Sequence, residues 1–228
     1  MEFKAFQKNI GTTFKDEGLL KQAFIHRSYL NENKNLKLEH NERLEFLGDA
    51  VLELVVTDYL FKKYPTKPEG ELTAFRSALV NANTLAAAAE KIRMNDFLLL
   101  SKGEAKDTGR ARLYILANTF EALIGAVYLD QGYDAARDFI GRQLFDLIDD
   151  IVEKRLFVDA KSFFQEQAQE KMGATPAYKT IRETGPDHNK QFTVGVFVNN
   201  EKIVEGLGKS KQEAEQDAAQ KALKKMAW

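Results

Sequence analysis

Apolar residues recur with a period near 3.6 in Leu19 to Tyr29, Glu42 to Tyr64, Leu72 to Ile92 and Leu113 to Tyr128, which predicts a helical first part over residues 1–150. Proline occurs there only at positions 65 and 68, between two of these helices, while 31–41 and 101–112 read as polar loops. The pattern changes near Val158 to Ala160, so residues 151–159 are expected to connect two domains, with the second over 160–228. Within that second part, 161–172 reads as a helix and Tyr178 to Arg182 as a first strand. Gln191 to Val198 alternates with Phe192, Val194, Val196 and Val198 on one face, the signature of a half-buried strand. Asn199-Asn200 is a hairpin turn, Ile203 to Gly206 a further strand, and Ser210 with Glu213 three residues later a capping box that opens a last helix. The expected architecture is an all-α domain followed by a small α+β domain of order α-β-β-β-α.

Composition narrows the picture only in part. The 228 residues are 44% hydrophobic and 29% charged, as in globular proteins, and contain no cysteine, which excludes disulfides and thiolate metal sites and is compatible with a cytoplasmic location. The start, Met1-Glu2-Phe3-Lys4, lacks a signal-peptide pattern. Leu113 to Leu129 is the nearest approach to a membrane span, but Asn118, Thr119, Glu121 and Gly125 interrupt it, so a buried helix and no membrane partner are expected. The net charge of -1 argues weakly against a polyanion binder, so any such field has to come from local clusters such as Lys102, Lys106, Arg110 and Arg112.

The chemistry concentrates in two apolar segments. In Asn41-Glu42-Arg43-Leu44-Glu45-Phe46-Leu47-Gly48-Asp49-Ala50, Glu45 and Asp49 fall about 40° apart on a helix and Glu42 about 60° from Glu45. Carboxylates so close repel, and burying them among Leu44, Phe46, Leu47, Val51 and Leu52 is costly unless a cation compensates. A divalent ion with oxygen ligands fits that need. In Leu113 to Leu129 the single charged residue is Glu121, with Asn118 three positions earlier on nearly the same face. At Ser210 the free N–H groups of a helix start stand beside Lys209 and Lys211, an arrangement suited to phosphate.

The Asn41 to Ala50 string closely resembles the signature of the bacterial ribonuclease III family, endonucleases that cut double-stranded RNA. Ala117-Asn118-Thr119-Phe120-Glu121-Ala122-Leu123-Ile124-Gly125 is similar to the second acidic motif of that family, and the α-β-β-β-α order together with Gly206 to Gln216 resembles a double-stranded-RNA-binding domain. The resemblance implies that Glu45, Asp49, Asn118 and Glu121 converge on Mg²⁺, with Mn²⁺ as a possible substitute. Asp49 and Glu121 would carry most of the catalysis, and Glu42 an outer, metal-supporting or RNA-contacting role. It further implies a homodimer in which Phe46 inserts into the partner subunit, and two sites that each cut one strand to leave 5′-phosphate and 3′-hydroxyl ends with short 3′ overhangs. Ribosomal and other RNA precursors are the implied substrates. Gln165, Glu166, Gln169 and His188 would reach 2′-hydroxyls in the minor groove, and Lys209, Ser210 and Lys211 the phosphates. His26 and His40 read as structural.

Two departures matter. The family usually has Asp where this chain has Asn118, and a second lysine where it has Gln212. An amide oxygen still ligates a hard cation but removes one negative charge from the cage. Asn118 therefore keeps open the alternative of a catalytically weakened, double-stranded-RNA-binding protein.

Overall fold

A computed structural model describes residues 3–153, 159–186 and 190–228, and the chain divides into two compact units, residues 1–157 and 158–228. The first is built on two 22-residue helices, α4 (Glu42–Lys63) and α8 (Arg110–Gln131). Leu44, Leu52, Val55, Val56 and Leu60 of α4 meet Leu116, Phe120, Leu123, Ile124 and Val127 of α8 in one continuous core. Helix α8 is long and apolar enough to cross a membrane, yet from Ile115 to Val127 only Asn118 and Glu121 are not buried. Its apolarity is accounted for by burial in protein.

Shorter helices wrap this pair: α1 (Lys4–Ile10), α2 (Glu17–Ala23), α3 (Arg27–Glu32), α5 (Glu69–Val80), α6 (Ala82–Lys91), α7 (Lys102–Lys106), α9 (Tyr133–Ile140) and α10 (Leu147–Glu153). Three expected segments are divided differently from the periodicity. Leu19 to Tyr29 is two helices, because Ile25 leaves the helix to form a parallel bridge with Leu99, and His26 N–H donates to the Leu99 carbonyl at 3.1 Å. Leu72 to Ile92 is broken at Asn81, whose extended backbone ends α5 and whose side chain accepts from Thr84 N–H at 3.0 Å to cap α6. The stretch 101–112 is not all loop. Ser101 caps the short α7, and α8 begins at Arg110. Helix α10 runs to Glu153, three residues into the expected connecting segment, and Ile151 packs in the core.

The second unit has the order read from its sequence. Helix α11 (Ala160–Met172) precedes β1 (Ala177–Thr184), β2 (Gln191–Val198) and β3 (Glu201–Gly208), an antiparallel sheet in the order β1-β2-β3, and α12 (Lys211–Met226) closes it. Asn199 and Asn200 both take positive φ, 50° and 66°, the pair of left-handed residues a type I′ hairpin requires. Phe164, Val196 and Val198 pack on the alanine face of α12, Ala218, Ala219 and Ala222. Gly206 makes that packing possible, since a Cβ there would lie 2.2 Å from the Ala214 carbonyl oxygen and from Ala218 N.

Candidate active site and RNA-binding surface

The start of α4 is pinned before any acid is placed. Asn41 is buried, its side chain donates to the Ala23 carbonyl at 3.1 Å, and its N–H donates to the Ile25 carbonyl at 2.9 Å. From there α4 crosses α8 at a pair of glycines. A Cβ on Gly48 would sit 1.8 Å from the Glu121 carbonyl oxygen, and one on Gly125 would sit 2.2 Å from the Leu44 carbonyl oxygen. Two backbones in such contact bring the side chains flanking the glycines together. Glu45 and Asp49 thus stand beside Asn118 and Glu121.

Electrostatics record that convergence. The Glu121 carboxyl is pushed up to about 7, first by burial and then by repulsion from Asp49, Glu45 and Glu53. Glu45 is also raised, by burial and by Glu42 and Asp49, while a hydrogen bond from the Asn118 amide acts in the opposite sense. Glu45 and Glu121 are half-buried, but Glu42, Asp49 and Asn118 are exposed, so the expectation of fully buried acids holds for none of them. The reason is that α4 covers the core with only one side. Its outer side carries Phe46, Asp49 and Leu54, with Phe46 81% exposed.

Around Glu45 and Asn118 opens a cavity of about 390 Å³ that Glu42, His26, Glu104 and Tyr114 also line. Glu42 is held at 3.4 Å by Arg27. His26 caps α3, accepting from Ser28 N–H at 3.3 Å, and its pKa is lowered chiefly by burial. Glu104 and Glu53 were not anticipated. Glu104 arrives because the Arg112 guanidinium holds its backbone carbonyl at 2.7 Å, and Glu53, which pairs with Arg76 at 2.8 Å, lies two turns from Glu45. Nothing in the local sequence of a polar loop announces the former; the i, i+4, i+8 spacing of Glu45, Asp49 and Glu53 does announce the latter.

Among the described residues no three His, Asp or Glu side chains are already gathered around one point at ligating distance. The donor set nevertheless suits a hard divalent cation. It is all oxygen, it lies at one helix crossing, and every influence resolved on Glu121 among the described residues disfavours its charge. Asp49 and Asn118, being exposed, have room to turn toward an ion.

In the second unit, Gln165, Glu166 and Gln169 are exposed on α11. His188 lies outside the described residues. Ser210 caps α12 by accepting from Glu213 N–H at 3.1 Å, and Glu213 returns to accept from Lys209 N–H at 2.9 Å. The Lys209 side chain is exposed, whereas Lys211 pairs with Glu183 at 3.0 Å and lies over the Phe192 ring. Among the cations expected in 101–112, Arg112 is occupied structurally, bonding Asn95 at 2.8 Å as well as Glu104, and Arg110 bonds and covers Tyr114.

A helical domain with an acidic helix crossing, joined to an α-β-β-β-α domain with a basic capped helix, defines a nuclease coupled to an RNA-binding module. Comparisons with known proteins agree. The family described as Ribonuclease-III-like matches residues 16–148, and the double-stranded RNA binding motif matches 160–226. A protein named Ribonuclease 3 from Geobacillus sp. (strain WCH70) is 48% identical over 225 residues, 99% of this chain and 91% of that protein. Ribonuclease 3 from Bacillus cereus (strain G9842) is 48% identical over 98% of this chain and 91% of its own length. A crystal structure of the nuclease domain of ribonuclease III from Campylobacter jejuni is similar with a TM-score of 0.56 and 38% identity, covering 66% of this chain and 96% of that one. The chain belongs to the ribonuclease III family. Its activity is endonucleolytic cleavage of double-stranded RNA.

Proposed function

We propose that cleavage occurs at the α4–α8 crossing, that it depends on Mg²⁺ held by Glu45, Asp49, Asn118 and Glu121, and that it leaves 5′-phosphate and 3′-hydroxyl ends. The single observation that carries this reading is the Gly48–Gly125 contact, which puts two carboxylates of one helix against a third carboxyl raised to about 7 on the other. A bound divalent ion supplies Lewis-acid polarisation of the scissile phosphate and a more acidic water. Asp49 and Glu121 orient the reacting groups. Glu42, exposed and tethered to Arg27, borders the cavity where a strand would enter and acts from outside the ion's immediate contacts. Mn²⁺ serves as a substitute on the same oxygen donors.

The acids repel an RNA backbone, so capture falls to the second unit. Lys209 and the start of α12 hold phosphate, while Gln165, Glu166 and Gln169 read the A-form minor groove. Replacing Lys209 by Ala is expected to weaken duplex binding several-fold and make the log–log salt dependence shallower by about one. Lys211→Ala should do less, because Glu183 already engages that ammonium. Filter binding at a series of KCl concentrations checks both.

We place the protein in the cytoplasm as a homodimer acting on ribosomal and other RNA precursors. The exposed Phe46, Leu54 and Phe61 along one helix supply an apolar surface for a second copy. In a second solved structure of the Campylobacter jejuni nuclease domain, the region involved in dimer formation is described as structurally flexible.

The test is incubation of the pure protein with a long RNA duplex over a range of Mg²⁺, with end analysis of the fragments. Short 5′-phosphorylated products are expected. Asn118→Asp restores one negative charge and should lower the Mg²⁺ needed for half-maximal rate roughly three- to tenfold, with a smaller change in the saturated rate. Unchanged metal dependence would remove Asn118 from the ion's surroundings.

A further inference from the structure

Away from the acidic crossing, the first unit holds a groove of about 800 Å³ between the ends of α1 and α6, Tyr59 of α4, and a π-helical turn (Gly141–Phe145) that follows α9. Its size falls in the range of small-ligand sites. Lys8, Lys91 and Arg142 line it with one carboxylate, Asp146. Arg142 is already oriented: its Nη2 donates to the Ile10 carbonyl at 3.3 Å and to the Thr12 hydroxyl at 3.1 Å. Its Nε and Nη1 make no hydrogen bond among the described residues, so a fixed guanidinium presents free donors.

The π-helical turn carries Arg142 and Phe145 into the groove, while α1 and α6 supply Lys8 and Lys91. Such turns are uncommon and concentrate at functional sites. Gly141 leaves room for the Phe145 ring, which would lie 3.2 Å from a Cβ at that position. That ring stacks on Tyr59 with centroids 3.6 Å apart and planes 3° from parallel. The flat aromatic wall has a groove on each side, and the two differ in a telling way. On the far side Lys62, Lys63 and Arg137 are paired with Asp58, Asp149 and Asp134, respectively. On the near side Lys8, Lys91 and Arg142 form no ion pair among the described residues. Positive charge at the ends of α1 and α6 is ordinary helix chemistry, but three unneutralised cations converging beside an aromatic wall exceed what two helix ends require.

We infer that this groove binds a nucleotide bearing phosphate, separately from the cleavage site. Lys8, Lys91 and Arg142 hold the phosphates, the Tyr59–Phe145 pair offers a surface for the base, and Asp146 accepts from ribose hydroxyls. A free nucleoside diphosphate and a nucleotide of a single RNA strand share this chemistry.

Isothermal titration of the full-length protein in EDTA, with ADP in one arm and a short 5′-phosphorylated single-stranded oligonucleotide in the other, tests the inference. At least one probe should bind with a Kd below about 1 mM, and Lys91→Glu and Arg142→Gln should each weaken it about tenfold while duplex cleavage is retained. Lys91 is exposed, so its substitution reports on the site even if Arg142→Gln disturbs the π-helical turn. ADP binding identifies a free nucleotide as the ligand, and binding of the oligonucleotide alone identifies RNA. Absence of binding in both arms, or binding that Lys91→Glu leaves unchanged, overturns the inference.

Discussion

Substituting Glu121→Gln is expected to slow duplex cleavage by on the order of 10²–10³-fold while leaving RNA affinity nearly intact, because one carboxylate is removed from where charge develops and capture resides elsewhere. The same change should stabilise the metal-free protein at pH 8 and not at pH 4. The sign follows from the direction of the shift. A carboxyl raised from 4.5 to about 7 in the folded chain favours folding fully below 4.5, and that contribution is lost as pH rises toward 7. Above 7 the folded protein carries an unfavourable charge that Gln lacks. The full difference would be roughly 3 kcal/mol at 1.36 kcal/mol per pH unit. Partial exposure of Glu121 reduces it to about 1–2 kcal/mol. At roughly 2–4 °C per kcal/mol for a chain of this size, Tm should rise by about 2–8 °C at pH 8. Scanning calorimetry in EDTA at both pH values measures this. A Tm lowered at pH 8 would mean that Glu121 is compensated by a partner and does not bear uncompensated charge.

The second large effect concerns the crossing itself. Gly48→Ala places a methyl group 1.8 Å from the Glu121 carbonyl oxygen and 2.9 Å from Gly125 N, both backbone atoms that cannot rotate away. The helices have to separate. Overpacking of a core by one methyl costs about 1–3 kcal/mol, and here the upper end or more is expected since no side chain can yield. A displacement of about 1 Å between Asp49 and Glu121 is enough to cost on the order of 10²-fold in rate. Gly70→Ala is the control, on helix α5 with nothing within 4 Å of the added group. It should be neutral or stabilising by up to about 1 kcal/mol, since alanine is the better helix former. Urea unfolding and single-turnover cleavage of both variants distinguish a specific contact from a general intolerance of change.

Much of this organisation could be read along the chain. The 2-residue alternation of β2, the Asn199-Asn200 turn and the Ser210 cap are local signals, and local chemistry decided those elements. The long α4 and α8 were legible because burial of one or nearly all faces leaves an unbroken apolar period. Breaks at Ile25 and Asn81 were not, since one depends on pairing with Leu99, seventy-four residues away, and the other on a side chain that caps the next helix without any proline to announce it. The acids of the site were visible as an anomaly of charge within apolar segments. Their exposure was misjudged, because periodicity gives the faces of a helix and not how many of them the rest of the protein covers. Phe46 is the clearest case, apolar in sequence and open to solvent in the fold. Glu104 and the three cations of the groove at the π-helical turn were beyond sequence reasoning, because tertiary contacts alone assemble them.

The most direct test is single-turnover cleavage of an end-labelled RNA duplex by the wild-type protein and Glu121→Gln, in Mg²⁺ and in EDTA. Discrete short fragments are predicted from the wild type in Mg²⁺ and from neither protein in EDTA, with Glu121→Gln slower by two orders of magnitude or more in Mg²⁺. Equal rates with and without the ion, or between the two proteins, would contradict the assignment of the α4–α8 crossing as the cleavage site.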